Sequence, residues 1–268
     1  MNNNTILFLG GSSKLGVFTI KYLIKLGYNV LLCSRSIKIA QNLCSILSEK
    51  VDNYNIGTIK PITVELSNKL SIDSLLDSLR NCNNYPNIVI NAAAIDNQDK
   101  IIDLSFKMIQ KIHTTNFVGS AYLASRISTF WIDNKIEGKF CTISTLLSYL
   151  GCEKSAIYAS SKAALESFFI NLAIELGKNN IRSNIIRIAG MLGNLKFYDD
   201  KLTCQSLNEV DYSNTTLKKS IIPLNRYARF NEFSRVIEFL ISNNSSYING
   251  QCINVDGGLS SIYPGYQP

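Results

Sequence analysis

Along most of the chain, short apolar runs alternate with longer stretches whose apolar residues recur every three or four positions. The runs TILFLG (5–10), NVLLCS (29–34), IKPITVEL (59–66) and NIVINAAA (87–94) have strand length and β-branched character. KFCTIST (139–145), IRSNIIRIA (181–189) and QCINV (251–255) continue the series. Helical periodicity follows the first run, with Leu15, Phe18, Ile20, Leu23 and Ile24 on one side and Gly27 closing the helix. Further helices are expected over 36–49, 71–81, 105–134, 156–177 and 231–242.

Strand–helix alternation of this kind predicts the α/β class. Parallel strands joined by right-handed crossovers make a single-domain, Rossmann-like doubly wound sheet of about seven strands, with helices on both faces. No linker, repeat or low-complexity block divides residues 1–268, so one domain is expected. The least regular segment, 191–222, follows the sixth strand, where sheet ligands sit, and reads as a substrate lid.

Composition narrows the function classes. At 46% hydrophobic and 18% charged residues, the chain has enough apolar side chains for a sizeable core. No apolar run reaches the length of a membrane span. MNNNTILFLGG lacks the basic and apolar regions of a signal peptide, so a cytoplasmic setting is expected. The 7 cysteines are scattered without a CxxC pair, which fits reduced thiols. His113 is the only histidine, so a histidine zinc cluster and a Ser-His-Asp triad are not expected, and it reads as a helix residue. The net charge of +7 is spread thinly, without the basic stripe of a nucleic-acid site. Attraction of small anions and a merely Lys- and Asn-rich composition both remain open.

The first strand runs into GGSSKLG, residues 10–16, and then into a helix. Glycines let the backbone approach a ligand, and the free N–H groups at a helix start attract phosphate. Gly10, Ser12, Ser13, Lys14, Leu15 and Gly16 are therefore candidate cofactor residues, although the spacing is not G-x-G-x-x-G. Lys14 opposes the helix dipole by about 0.3–1 kcal/mol, which makes sense beside a bound anion. The second strand ends CSRS, with Arg35 and no acidic residue from 33 to 36. A carboxylate there suits the ribose 2′-OH of NAD, whereas an Arg suits a 2′-phosphate, so NADP(H) is expected over NAD(H).

YASSK (158–162) places a tyrosine and a lysine one helical turn apart. Given the numbers of Tyr and Lys, about one such pair is expected by chance, so the surroundings decide what it means. Those surroundings resemble the short-chain dehydrogenase/reductase family, single-domain type, over nearly the full length. Asn91-Ala92-Ala93-Ala94 matches the family's N-N-A-G motif, Asn116 its helix asparagine, and YASSKAALESF its Tyr–Lys helix. Thr145, thirteen residues before Tyr158, takes the active-site serine position. The stretch 223–258 also resembles the family's end.

The resemblance implies that Tyr158 is the proton donor and that Thr145 binds the substrate oxygen. Lys162 and the positive nicotinamide ring would lower the phenol's pKa, and Lys162 would also hold the nicotinamide ribose, with Asn116 positioning a relay water. It also implies cofactor contacts from Glu65, Leu66, Asn91, Ala92, Ala93 and Ala189. The chain departs from the family pattern at Lys14, which replaces a glycine, at Thr145, beside Ser144 and Ser148, and at Ile188-Ala189, which replaces Pro-Gly. The closest pattern is that of 3-oxoacyl-[acyl-carrier-protein] reductases, although that subfamily's carrier-docking arginines fall at Ile136 and Asn179, beside Lys139 and Lys178. The expected function is ketone reduction, on a carrier-linked substrate or on a free keto-sugar or other metabolite. A catalytically weak dinucleotide-binding sensor is the alternative of another class. A homodimer or homotetramer is implied through the helices 105–134 and 156–177 and the last strand.

Overall fold

The computed structural model describes residues 4–49, 57–80, 85–189 and 221–262. Seven strands form one parallel sheet in the order β3-β2-β1-β4-β5-β6-β7. They are β1 (Thr5–Leu9), β2 (Asn29–Ser34), β3 (Ile59–Thr63), β4 (Ile88–Asn91), β5 (Gly138–Thr145), β6 (Ile181–Ile188) and β7 (Cys252–Val255). Strand order reverses between β1 and β4, which opens a crevice at the carboxyl ends of those strands.

Both faces of the sheet are covered. Ile6 and Phe8 of β1 enter one core, with α1 (Lys14–Lys25), α2 (Ile37–Glu49) and α7 (Phe230–Ile241). Leu7 and Leu9 enter the other, with α3 (Lys69–Arg80), α5 (Gly119–Asp133) and α6 (Ala156–Leu176). Burial on both sides is why the strands read as continuous apolar runs rather than alternating ones. Each fully buried aliphatic side chain contributes about 1.5–3 kcal/mol. Phe18 is only partly buried, but its ring stacks on Phe230 at 5.0 Å and joins α1 to α7.

Trp131 fixes the start of β5. Its indole is fully buried and donates to the Pro86 carbonyl at 2.7 Å. Only glycine fits opposite it, because a Cβ on Gly138 would lie 2.0 Å from the ring.

Two expectations change, for the helix over 105–134 and for the ends of the third and fourth strands. The single helix expected over 105–134 is instead α4 (Phe106–His113), a π turn at Thr114–Val118, and α5. The turn puts Asn116 inside the protein, where tertiary hydrogen bonds compensate the interrupted ladder. β3 and β4 stop before their apolar runs do, so Glu65, Leu66 and Ala92–Ala94 lie in the turns that follow. Of the segment read as a lid, 191–220 lies outside the described residues, while Ile222 is buried beside Gly257. His113 ends α4 as a helix residue, its Nε2 3.1 Å from Ser160 Oγ on α6. Among the described residues no helix is long and apolar enough to cross a membrane.

Candidate active site

The turn after β1 is shaped by space. Gly10 has φ +77°, and a Cβ there would come within 2.8 Å of the Ala92 carbonyl. A Cβ on Gly16 would lie 2.6 Å from the Gly10 oxygen, so the start of α1 presses directly on the turn. Ser13 caps α1: its Oγ accepts from Gly16 N at 3.0 Å and donates to Gly10 O at 2.9 Å. Lys14 is the first residue of α1, partly exposed, with no acidic residue in that turn.

Gly10, Ser12, Arg35, Glu65, Leu66 and Ala93 line one pocket, which runs along the ends of β1, β2 and β3. Glu65 is held back there, accepting from Ser67 N at 3.3 Å and Ser67 Oγ at 2.8 Å. Arg35 stands exposed at the end of β2. Asn91 is buried, and its Oδ1 accepts from Ala93 N at 3.3 Å. Its Nδ2 has no partner among the described residues. A cradle that any Cβ would fill, next to a buried unpaired donor, fits a dinucleotide lying across the β1/β4 crevice.

Ser13, Leu15, Ala92, Thr145, Tyr158 and Lys162 line a second cavity at the carboxyl end of β5, joined by Ser144 and Ile188. Thr145 Oγ1 accepts from Leu147 N at 3.3 Å, which turns the chain out of the sheet. Ser144 Oγ is buried without a partner among the described residues. Ser148 Oγ instead donates to the Thr145 carbonyl at 2.8 Å and does not line the cavity. Ala189 also lies elsewhere, in a hollow with Ile222 and Leu224.

Asn116 is a brace. Its Oδ1 accepts from Ile95 N at 2.8 Å, and its Nδ2 donates to Ile95 O at 2.8 Å and Ser161 Oγ at 3.0 Å. It therefore ties the loop after β4 to α6, three positions from Tyr158. Both amide protons are used in this way, so the side chain has none left for a relay water.

Burial dominates the electrostatics of the two groups. Burial pushes the Tyr158 phenol above its ordinary range, and the Asp96 carboxylate adds to that push. Lys162 is buried and donates to the Ile143 carbonyl at 2.9 Å. Burial pulls its ammonium down to about 8, while Glu166 works in the opposite direction. Desolvation of this kind disfavours the charged form of each group, the phenolate of Tyr158 and the ammonium of Lys162. Asp96, Glu166 and Arg187 were not singled out from the sequence. Glu166 was readable, being one turn beyond Lys162; Arg187 sits on another element and carries no local signal.

A crevice at a strand-order reversal, sharing Ala94 with a cavity that holds a tyrosine and a buried lysine, is the architecture of an NAD(P)-dependent oxidoreductase. The family model described as "Enoyl-(Acyl carrier protein) reductase" matches residues 12–260. The chain belongs to the short-chain dehydrogenase/reductase family. It is 28% identical to a 3-oxoacyl-[acyl-carrier-protein] reductase of Buchnera aphidicola over 226 residues, 82% of this chain and 83% of the relative. It is 26% identical to the L-xylulose reductase of Caenorhabditis elegans, over 96% of this chain and 95% of that one. Among solved structures, 4-hydroxyisoleucine dehydrogenase complexed with NADH matches with a TM-score of 0.80 at 26% identity, over 97% and 100% of the two chains. A gluconate 5-dehydrogenase from Burkholderia cenocepacia, in complex with NADP and tartrate, shares the fold with a TM-score of 0.83 at 18% identity, over 98% and 97%.

Proposed function

We propose that this enzyme uses NADPH to reduce a ketone to a secondary alcohol, or runs the reverse oxidation, with Tyr158 as the proton donor. The observation that carries this reading is the single cavity in which Tyr158, Lys162 and Thr145 meet Ser13 and Leu15 from the glycine turn. The nicotinamide, when bound, supplies the hydride. The chain's own residues handle the oxygen. Thr145 offers a hydroxyl to orient the carbonyl, and Tyr158 donates its phenolic proton as charge develops there. Lys162 stabilises the phenolate left behind, and the low dielectric that depresses its own pKa strengthens that interaction. Asn116 keeps α6 in register with the loop after β4.

Arg35, with no acidic residue from 33 to 36, supports NADPH over NADH, and Lys14 adds a second cation. One similar solved structure holds NADH and another NADP, so this preference rests on the chain's own residues. The 3-oxoacyl reductases among the relatives support a carrier-linked substrate. A free keto-sugar or related ketone is the second reading, favoured by Lys139, which is partly buried and donates to Asn243 Oδ1 at 3.1 Å. The free thiols of the five described cysteines support a cytoplasmic setting. Exposed Phe106 on α4 and Ile174 on α6 support assembly of identical copies through these helices.

Fluorescence titration with NADPH and NADH, followed by turnover on carrier-bound and free ketones, tests the reading. Tighter NADPH binding with turnover on one ketone class is expected. NADPH binding without turnover on any ketone would favour a dinucleotide sensor, and a preference for NADH would overturn the role given to Arg35.

A further inference from the structure

Tyr158, Lys162 and Glu166 follow one another at single-turn intervals along one face of α6. Lys162 and Glu166 are 2% and 4% exposed. The hydrogen bond from Lys162 Nζ to the Ile143 carbonyl, at 2.9 Å, brings a neutral acceptor that does not balance the charge. Glu166 is the nearest anion by position, and it is held rigidly. Arg187 of β6 places Nε 3.1 Å from both carboxylate oxygens and Nη2 2.6 Å from Oε2. The guanidinium in turn lies over the Tyr149 ring at 4.5 Å, and the Tyr149 hydroxyl accepts from Asn254 Nδ2 at 2.9 Å. Asn254 is the β7 register partner of Arg187. A buried ion pair adds little net stability over apolar side chains of equal volume. This one, however, stands a single turn from a buried ammonium.

We propose that Glu166, fixed by Arg187, is a positioning residue for the Tyr158–Lys162 pair, a buried anion set one turn from Lys162 that keeps it charged while the phenol gives up its proton. The proposal rests on the reductase reading above. The electrostatics agree in direction: burial draws the Lys162 pKa down, and Glu166 draws it back up. Other ionisable groups approach from every side: Tyr158 on α6, Asp96 after β4, Tyr149 after β5, Arg187 on β6 and Cys252 on β7. Cys141 of β5 is buried in the core on the opposite face of the sheet. Of these groups, Glu166 alone combines a negative charge with burial and a position one turn from Lys162.

Two readouts test the idea. In the full-length protein with lysine labelled at 13Cε, the Lys162 signal is assigned by its loss in Lys162→Met. In Glu166→Gln its titration midpoint is expected to fall by about one pH unit or more, the usual effect of removing a nearby opposite charge. With NADPH bound, the alkaline limb of kcat for ketone reduction falls by the same amount, while the rate at about pH 6 and KM stay close to wild type. Glu166→Asp restores part of the shift. An unmoved midpoint overturns the proposal, and so does an equal loss of rate at every pH, which marks a purely structural role. Should Glu166→Gln fold poorly, Glu166→Gln with Arg187→Met removes the stranded cation as well. A smaller fall in midpoint is then expected, and a midpoint equal to wild type overturns the proposal. Absence of turnover by the wild-type chain would count against the reductase reading alone, because the NMR midpoint does not depend on catalysis.

Discussion

The two neighbouring pockets of the site are built on different principles. At the β1–β2–β3 end the chain makes room: Gly10 and Gly16 leave no space for a side chain, and Ser13 closes the turn with neutral hydrogen bonds. At the β5–β6 end it concentrates charge: Lys162 and Glu166 are buried, and Arg187 grips Glu166 from the neighbouring strand. Shape binds and charge reacts. Substitutions at the first end should therefore change cofactor affinity, and those at the second end rate and pH dependence.

The largest effect is expected at the charged end. Lys162→Met should lower kcat by about 10²–10⁴, the usual range for losing acid–base assistance, with a smaller change in NADPH affinity. It should also alter stability in a pH-dependent way. Burial draws the Lys162 pKa down to about 8 from the ordinary lysine value of 10.5, so between these values the folded chain binds fewer protons than the unfolded one. The unfavourable contribution of this group is thus complete below about 8 and fades as pH rises toward 10.5. Thermal unfolding should show Lys162→Met gaining most over wild type near neutral pH and little near pH 10.5. A difference independent of pH would mean that the lysine is not buried as a charge.

At the shaped end, Gly16→Ala forces a Cβ to 2.6 Å from the Gly10 oxygen. Overpacking of this kind costs about 1–3 kcal/mol, so NADPH affinity should fall roughly 10–100-fold by titration, without a shift in the pH profile. Arg35→Asp should weaken NADPH about tenfold or more and improve NADH, because a charge-assisted contact gives way to a carboxylate that suits a ribose hydroxyl. The smallest effect is expected at Thr145. Thr145→Val should cost roughly tenfold in kcat/KM, the value of one hydrogen bond, while Thr145→Ser stays near wild type. If Ser144→Ala proves the more damaging change, the unpaired Ser144 hydroxyl is the one that meets the substrate.

Much of the shaped end was legible in the sequence because its signals are local. Apolar runs ending in glycine mark β1 and its turn, and both strand faces are buried, so each run reads without interruption. The charged end was legible only in part. Tyr158, Lys162 and Thr145 stand out by spacing and resemblance, but Arg187 reaches Glu166 across 21 positions, and only packing decides that contact. The π turn at Thr114–Val118 leaves no mark on the periodicity of 105–134, because what stabilises it is the tertiary bonding of Asn116 to Ile95 and Ser161. The phenol's response to burial is hidden from the sequence for a related reason. Helical spacing reveals the neighbouring cation, while desolvation depends on everything folded around it.

The most direct test is single-turnover reduction by Tyr158→Phe at saturating NADPH, using a ketone that the wild type accepts. Cofactor affinity should stay within about twofold of wild type, while the rate of NADPH oxidation falls by about 10²–10⁴. A rate equal to that of the wild type would contradict the account.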